Sequence, residues 1–161
     1  SIQSAFNLFK GIKRRMEVCG EGREVTIIDD FAHHPTAIRE TLKALRVRYP
    51  GQRLWAVFEP RTNTTRRAVF QRDLVNSFVD ENIVLLAKIP NLEQIPEADR
   101  LDPQQLVADL SAGGQTAEYL HDVDSIVTYV TTHAIPGDIV CVLSNGGFGG
   151  IHQKLLNGFT E

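Results

Sequence analysis

From residue 25 onward the chain repeats one pattern five times. A short run of β-branched and other apolar residues gives way to a stretch with apolar residues every three or four positions. The first period is that of a strand and the second that of a helix. Their alternation calls for crossover connections, which join parallel neighbours in a sheet. Residues 25–29 (VTIID), 53–58 (RLWAVF), 83–87 (IVLLA), 117–120 (AEYL) and 139–143 (IVCVL) are the expected strands. The runs at 83–87 and 139–143 are almost unbroken in apolar character, as strands covered on both faces must be. Ile38, Leu42, Leu45 and Tyr49 line a helix over 36–49, and Phe70, Leu74 and Phe78 line one over 66–79. Asp102 and Pro103 supply an N-cap and a first-turn proline for a helix carrying Leu106 and Leu110. Val123, Ile126, Val127 and Val130 define a helix over 122–133, and a last helix over 151–156 closes the pattern.

Ahead of this repeat, residues 15–19 and 24–28 flank Gly20-Glu21-Gly22, which reads as a hairpin turn. The expected architecture is a three-layer, Rossmann-like α/β domain. Its six-stranded sheet is mostly parallel, with one antiparallel strand from the N-terminal hairpin. A chain of 161 residues is expected to form a single domain, 1–161, with 1–14 as its lead-in segment. Lys and Arg number 17 and Asp and Glu 20, a balance of −3 that argues against a general nucleic-acid binder. No apolar run approaches the roughly 18 residues that span a membrane. Cys19 and Cys141 are far apart and form no CxxC, which fits a reducing compartment. Ser1 heads the chain and Met16 is its only methionine, so a piece of a longer protein is expected.

In open parallel sheets ligands bind beyond the carboxyl ends of the strands, near the point where strand order reverses. Three polar segments follow strand ends here. The first is Asp29-Asp30-Phe31-Ala32-His33-His34-Pro35, which enters a helix. Asp30 can accept hydrogen bonds from ligand hydroxyls, and His33 can face a phosphate beside the positive end of that helix. The second, residues 59–67 (EPRTNTTRR), carries Arg61, Asn63, Thr64 and Arg66. Planar guanidinium forks suit carboxylates and phosphates. The third is Ser144-Asn145-Gly146-Gly147-Phe148-Gly149-Gly150, whose glycines let a backbone approach a ligand and offer it N–H groups. It is not a G-x-G-x-x-G fingerprint, because His152 stands where the last glycine is needed, and the chain contains no Walker A loop. Each segment also has a plainly structural reading: a capped helix start, a solvated loop, a tight turn.

A metal site is a second possibility. Asp29, Asp30, His33 and His34, with Glu59 from the next strand end, offer the ligand types of a metal-dependent phosphoesterase. Neighbouring side chains on an extended segment point to opposite faces, which weighs against their convergence. His121, His133 and Cys141 read as structural, and no nucleophile elbow or redox pair is present.

I-D-D-F-A-H-H-P-T-A-I at 28–38, F-E-P-R-T-N-T-T-R-R at 58–67 and S-N-G-G-F-G-G at 144–150 together resemble the C-terminal domain of the Mur ligases. F-K-G-I-K-R-R-M-E-V at 9–18 resembles the segment that leads into it. The resemblance implies a cytoplasmic bacterial enzyme of peptidoglycan metabolism that forms amide bonds with ATP. In such enzymes the lactoyl carboxylate of UDP-N-acetylmuramate becomes an acyl phosphate, which an incoming amine attacks. ATP and magnesium would be gripped mainly by a central domain, and the uridine nucleotide by an N-terminal one. Asp30 would meet the ATP ribose and His33 its phosphates. Arg61, Asn63, Thr64, Arg66, Ser144, Asn145 and Gly147 would hold the acceptor, with no metal ligand and no assigned base among them. The alanine-adding member of the family typically has F-Q-P-H-R-Y-T-R in the second segment. Here Arg61, Thr62 and Asn63 replace its His, Arg and Tyr. That difference implies a larger acceptor, the murein tripeptide L-Ala-γ-D-Glu-meso-diaminopimelate of peptidoglycan recycling. A UDP-N-acetylmuramate–L-alanine ligase domain is the alternative.

Three function classes therefore remain open: a ligase domain, a metal-dependent phosphoesterase, and a receiver-type signalling module suggested by the acidic pair. The last needs an acceptor Asp and a Lys at strand ends where this chain has Glu59-Pro60 and Ser144-Asn145. If the ligase reading holds, the purified chain releases no phosphate from ATP unaided, because it has no P-loop to grip the triphosphate. Sustained turnover in a phosphate-release assay contradicts that reading. Stoichiometric zinc or manganese together with phosphatase activity favours the second class.

Overall fold

Every side chain along residues 54–58 is buried, yet successive ones serve different layers. Leu54, Ala56 and Phe58 pack on one side of the sheet, and Trp55 and Val57 on the other. This is the two-residue period of an extended chain covered on both faces. The computed structural model describes residues 14–78 and 81–160. The expectations for the lead-in segment before residue 14 lie outside the described residues. The strands are β1 (Glu17–Gly22), β2 (Val25–Asp30), β3 (Leu54–Phe58), β4 (Ile83–Ala87), β5 (Thr116–Leu120) and β6 (Ile139–Leu143). The α-helices are α1 (Pro35–Arg48), α2 (Gln71–Ser77), α3 (Pro103–Ala112), α4 (Val123–His133) and α5 (Ile151–Thr160). The sheet order is β1-β2-β6-β3-β4-β5, with β1 antiparallel to β2 and every other pair parallel. Helices α1, α2 and α3 cover one face through Ile38, Leu42, Leu45, Leu74, Leu106 and Leu110. Helices α4 and α5 cover the other through Ile126, Val130, Ile151, Leu155 and Phe159. The three-layer α/β expectation holds, including the single antiparallel strand.

The helices begin where the sequence provides caps. Asp102 accepts the Gln105 N–H at 3.0 Å to start α3, and Asp122 accepts the Ser125 N–H at 2.6 Å to start α4. The crossovers from β2 through β5 run over one face in one direction. Helix α4 then returns the chain over the opposite face, so that β6 enters between β2 and β3. The sheet thus has its switch point there. Asp30, Leu143 and Phe58 lie in one row across β2, β6 and β3, so three loops leave the sheet at the same level.

Two local expectations are corrected. The hairpin turn is Arg23-Glu24, with φ of 50° and 61°, and not Gly20-Glu21-Gly22, which lies within β1. Those glycines answer to packing: a Cβ on Gly20 or Gly22 would press against Leu156 or Phe159 of α5. Arg23 in turn donates to the Phe159 and Gly158 carbonyls at 3.1 and 3.2 Å, closing the end of α5. The second helix is also shorter than expected. Arg67 stays extended and bridges Arg100, a 3-10 turn covers Ala68–Phe70, and α2 begins only at Gln71.

Cys141 is buried in the core, and burial pushes its thiol well above the ordinary value. At the opposite end of the sheet from the switch point, buried Asp138 collects donors. Arg53 Nη2 lies at 2.7 Å, Trp55 Nε1 at 2.9 Å and the Ile135 N–H at 3.0 Å. Removing this acceptor strands a buried indole N–H and a backbone amide. Asp138→Ala is therefore expected to cost about 2–4 kcal/mol of stability. Urea unfolding checks this, and a loss below about 0.5 kcal/mol, the range of an ordinary surface change, contradicts it.

Candidate functional site

The three loops that leave the β2-β6-β3 row are joined to one another before any ligand is considered. The Ser144 N–H donates to the Asp30 carbonyl at 3.2 Å, and the Glu59 N–H to the Leu143 carbonyl at 3.1 Å. Side chains reinforce this backbone. Ser144 Oγ donates to Glu59 Oε1 at 2.8 Å and accepts the Gly146 N–H at 3.0 Å, tying the loop after β6 to the end of β3. Arg61 lies directly against Gly146, where a Cβ would overlap its guanidinium. A side chain there would push the guanidinium out of this position.

Asp30 is buried, at 4% exposure, and works first as an organiser. Its Oδ1 accepts the Ala32 N–H at 2.8 Å and the Thr41 hydroxyl at 3.2 Å, and its Oδ2 accepts the Met16 N–H at 2.8 Å. Each carboxylate oxygen takes about two hydrogen bonds, so Oδ2 retains one place. Asp30 borders a cleft of about 330 Å³ lined also by Arg15, Phe31, His33, Ala37 and Thr41 among others. Phe31 is 45% exposed at this cleft, an aromatic face offered to solvent. His33 Nδ1 lies 2.9 Å from the Phe31 carbonyl. A carbonyl can only accept, so Nδ1 carries the proton and Nε2 is the free ring nitrogen. His33 then accepts from a hydroxyl when neutral and donates to an anion when protonated.

Asp29, next in sequence to Asp30, faces a different set of partners. Its Oδ2 pairs with Arg14 Nε at 3.0 Å and its Oδ1 with His152 Nε2 at 2.9 Å. Arg14 Nη2 also donates to the Ser144 and Gly146 carbonyls at 2.8 and 2.7 Å, while the Arg14 carbonyl accepts the Phe31 N–H. One guanidinium thus fastens two of the three loops. Sequence reading missed Arg14 and His152 as site residues. The K-R-R run offers no local sign of which arginine turns inward, and His152 reads as an ordinary helix residue.

The remaining expected residues divide. Arg66 points away from Arg61: its Nη1 donates to the Pro90 and Asn91 carbonyls at 2.9 and 3.1 Å, bracing the loop after β3 against the one after β4. Asn63 and Thr64 are exposed, and Asn63 Oδ1 accepts from Arg67 at 3.2 Å. Asn145 Oδ1 is buried with no hydrogen-bond partner among the described residues, and Gly147 is exposed beside it. The metal set does not assemble. His34 caps α1 through the Thr36 N–H and leans on Phe70, Asp29 and Asp30 diverge, and Glu59 serves Ser144. Among the described residues no three His, Cys, Asp or Glu side chains gather as a ligand set.

A family model described as Mur ligase, glutamate ligase domain matches residues 14–146, the stretch that holds the first two loops and the start of the third. The chain belongs to the Mur ligase family. It is 42% identical over 159 residues to the UDP-N-acetylmuramate–L-alanyl-γ-D-glutamyl-meso-2,6-diaminoheptandioate ligase of Escherichia coli K12, covering 98% of this chain and 33% of that protein. It is 34% identical over 155 residues to the UDP-N-acetylmuramate–L-alanine ligase of Desulfitobacterium hafniense Y51, covering 96% and 34%. Among solved structures, a murein peptide ligase from Psychrobacter arcticus 273-4 matches with a TM-score of 0.79 and 35% identity, over 97% of this chain and 32% of that one. The chain thus spans about a third of the length of these relatives.

Membership in the Mur ligase family, with the diverging acidic and imidazole side chains, overturns the phosphoesterase and receiver-module alternatives. In this Mur ligase domain His152 lies past the matched stretch yet anchors Asp29, so the rim extends into α5. Arg14→Ala removes the shared donor of two loops. The Gly146 and Gly147 amides are then expected to exchange hydrogen at least about tenfold faster, while β6 amides stay protected. Unchanged exchange at these glycines contradicts the clamp.

Proposed function

We propose that this chain is one domain of an ATP-dependent amide ligase, closing over a nucleotide and an acceptor peptide held mainly elsewhere in a longer enzyme. The reaction we assign joins L-Ala-γ-D-Glu-meso-diaminopimelate to UDP-N-acetylmuramate. One observation carries the reading: a cleft of about 330 Å³ at Asp30 and an arginine-bearing loop at Arg61 share one rim, joined through residues 144–146. The 42% identity to a ligase named for that peptide supports this choice of acceptor.

ATP supplies the phosphoryl group that turns the lactoyl carboxylate into an acyl phosphate. The residues here bind and orient. Asp30 accepts a ribose hydroxyl, Phe31 lines the cleft with an apolar face, and His33 Nε2 faces the phosphates. Arg61 is half-exposed, with Gly146 behind it, and its outer N–H groups suit an acceptor carboxylate. Holding the amine about 3–3.5 Å from the acyl carbon is the main service such a rim provides. The described residues form no cage for magnesium, and no metal step is assigned to them. A second reading, an L-alanine-adding ligase, rests on the 34% identity to that class.

In the complete enzyme, Asp30→Asn is expected to raise the KM for ATP while leaving the peptide KM close to wild type. Arg61→Ala is expected to raise the peptide KM by about 10- to 100-fold, the loss of a charged hydrogen bond. Steady-state kinetics with each substrate varied decides the matter. Equal effects of both changes on both substrates contradict the division of labour, and faster use of free L-alanine than of tripeptide selects the second reading.

A further inference from the structure

We infer that Glu59 binds the positively charged amine of the acceptor, so that Glu59 and Arg61 receive an ammonium and a carboxylate of the same peptide. This deepens the acceptor reading above and rests on it. Glu59 is the first residue past β3, one step beyond the row formed by Asp30, Leu143 and Phe58. Its side chain is 15% exposed. Three carboxylates stand on this rim, and two are largely engaged in holding it together. Asp29 has a guanidinium on one oxygen and an imidazole on the other, and Asp30 takes two backbone amides and a hydroxyl.

Glu59 has far less. Its Oε1 accepts the Ser144 hydroxyl, and Arg61 Nη1 stands 3.8 Å from the same oxygen, beyond hydrogen-bonding range. Its Oε2 accepts no hydrogen bond among the described residues. That oxygen is left with room for a further, charged donor. Arg61 makes only this loose ion pair with it, and its side chain is 45% exposed. A negative and a positive group thus stand side by side on one rim as a loose ion pair, each with hydrogen-bonding capacity left over. That arrangement fits a zwitterionic ligand. Each unit of the proposed tripeptide carries carboxylate or ammonium groups, and the attacking amine is itself an ammonium before it reacts. Ser144 fixes the direction of Glu59 because its hydroxyl also accepts the Gly146 N–H, which leaves its proton pointing at Oε1.

The test compares wild type, Glu59→Gln and Glu59→Asp in the complete enzyme. Glutamine keeps an oxygen for Ser144 and the side-chain shape, and loses only the charge. The expected result is a fall of about 30-fold or more in kcat/KM for tripeptide in Glu59→Gln, partly recovered in Glu59→Asp, with the KM for ATP within about twofold of wild type. A residue that merely props Ser144 leaves Glu59→Gln near wild type, and that result overturns the inference. So does an equal loss toward ATP and peptide. A second measurement needs no variant: a desamino tripeptide, with propionyl in place of L-alanyl, should bind wild-type enzyme at least about tenfold more weakly than tripeptide. Equal binding overturns the inference. Wild-type enzyme that forms no amide from tripeptide and UDP-N-acetylmuramate overturns the functional reading and this inference together. An active wild type with an indifferent Glu59→Gln overturns this inference alone.

Discussion

Strand β6 is hydrogen-bonded on both sides, to β2 and to β3, and the rest of the site follows from that placement. The last strand of the chain separates the first two parallel strands of the sheet. The loop after it must therefore lie between the loop carrying Asp30 and the loop carrying Arg61. Three segments separated by long stretches of sequence start from one row of residues. The apolar run that makes β6 a buried strand is thus also the reason the polar turn beyond it has two functional neighbours.

Charge on this rim is used in two ways. Arg14 pairs with Asp29, His152 hydrogen-bonds the same carboxylate, and together they brace the loops, while Asp30 is held by donors from three segments. Such pairing orders the loops before a ligand arrives, which lowers the entropy that binding must overcome. Other groups keep capacity toward solvent: the Phe31 face, His33 Nε2, the outer side of Arg61 and one oxygen of Glu59. Adjacent residues take opposite duties because an extended chain turns successive side chains to different faces. Asp29 therefore braces the turn while Asp30 borders the cleft.

Much of the fold was legible because burial leaves a plain pattern. The strands at Ile83–Ala87 and Ile139–Leu143 have the expected bounds, since a strand covered on both faces is apolar throughout. The start of α3 was equally plain from Asp102 and Pro103. Where glycine spoke for packing rather than turning, the reading failed. Gly20 and Gly22 make room for α5, while Arg23 and Glu24 adopt the left-handed turn without a glycine between them. The three loops could be named from sequence, but not their order, because nothing local to residues 122–138 says which face the return crossover takes. Arg66 looked equivalent to Arg61 in the same loop, yet a carbonyl pair at Pro90 and Asn91 captures it. Such captures depend on segments far away in sequence and leave no mark nearby.

The central claim is that the β2-β6-β3 rim handles both reactants at once. A crystal structure of the complete enzyme with a non-hydrolysable ATP analogue and the tripeptide tests it most directly. The ribose should lie within hydrogen-bonding distance of Asp30 and a peptide carboxylate on Arg61, with residues 144–147 between them. A peptide seated at the β5 edge or on the outer helices, with Arg61 bare, would contradict it.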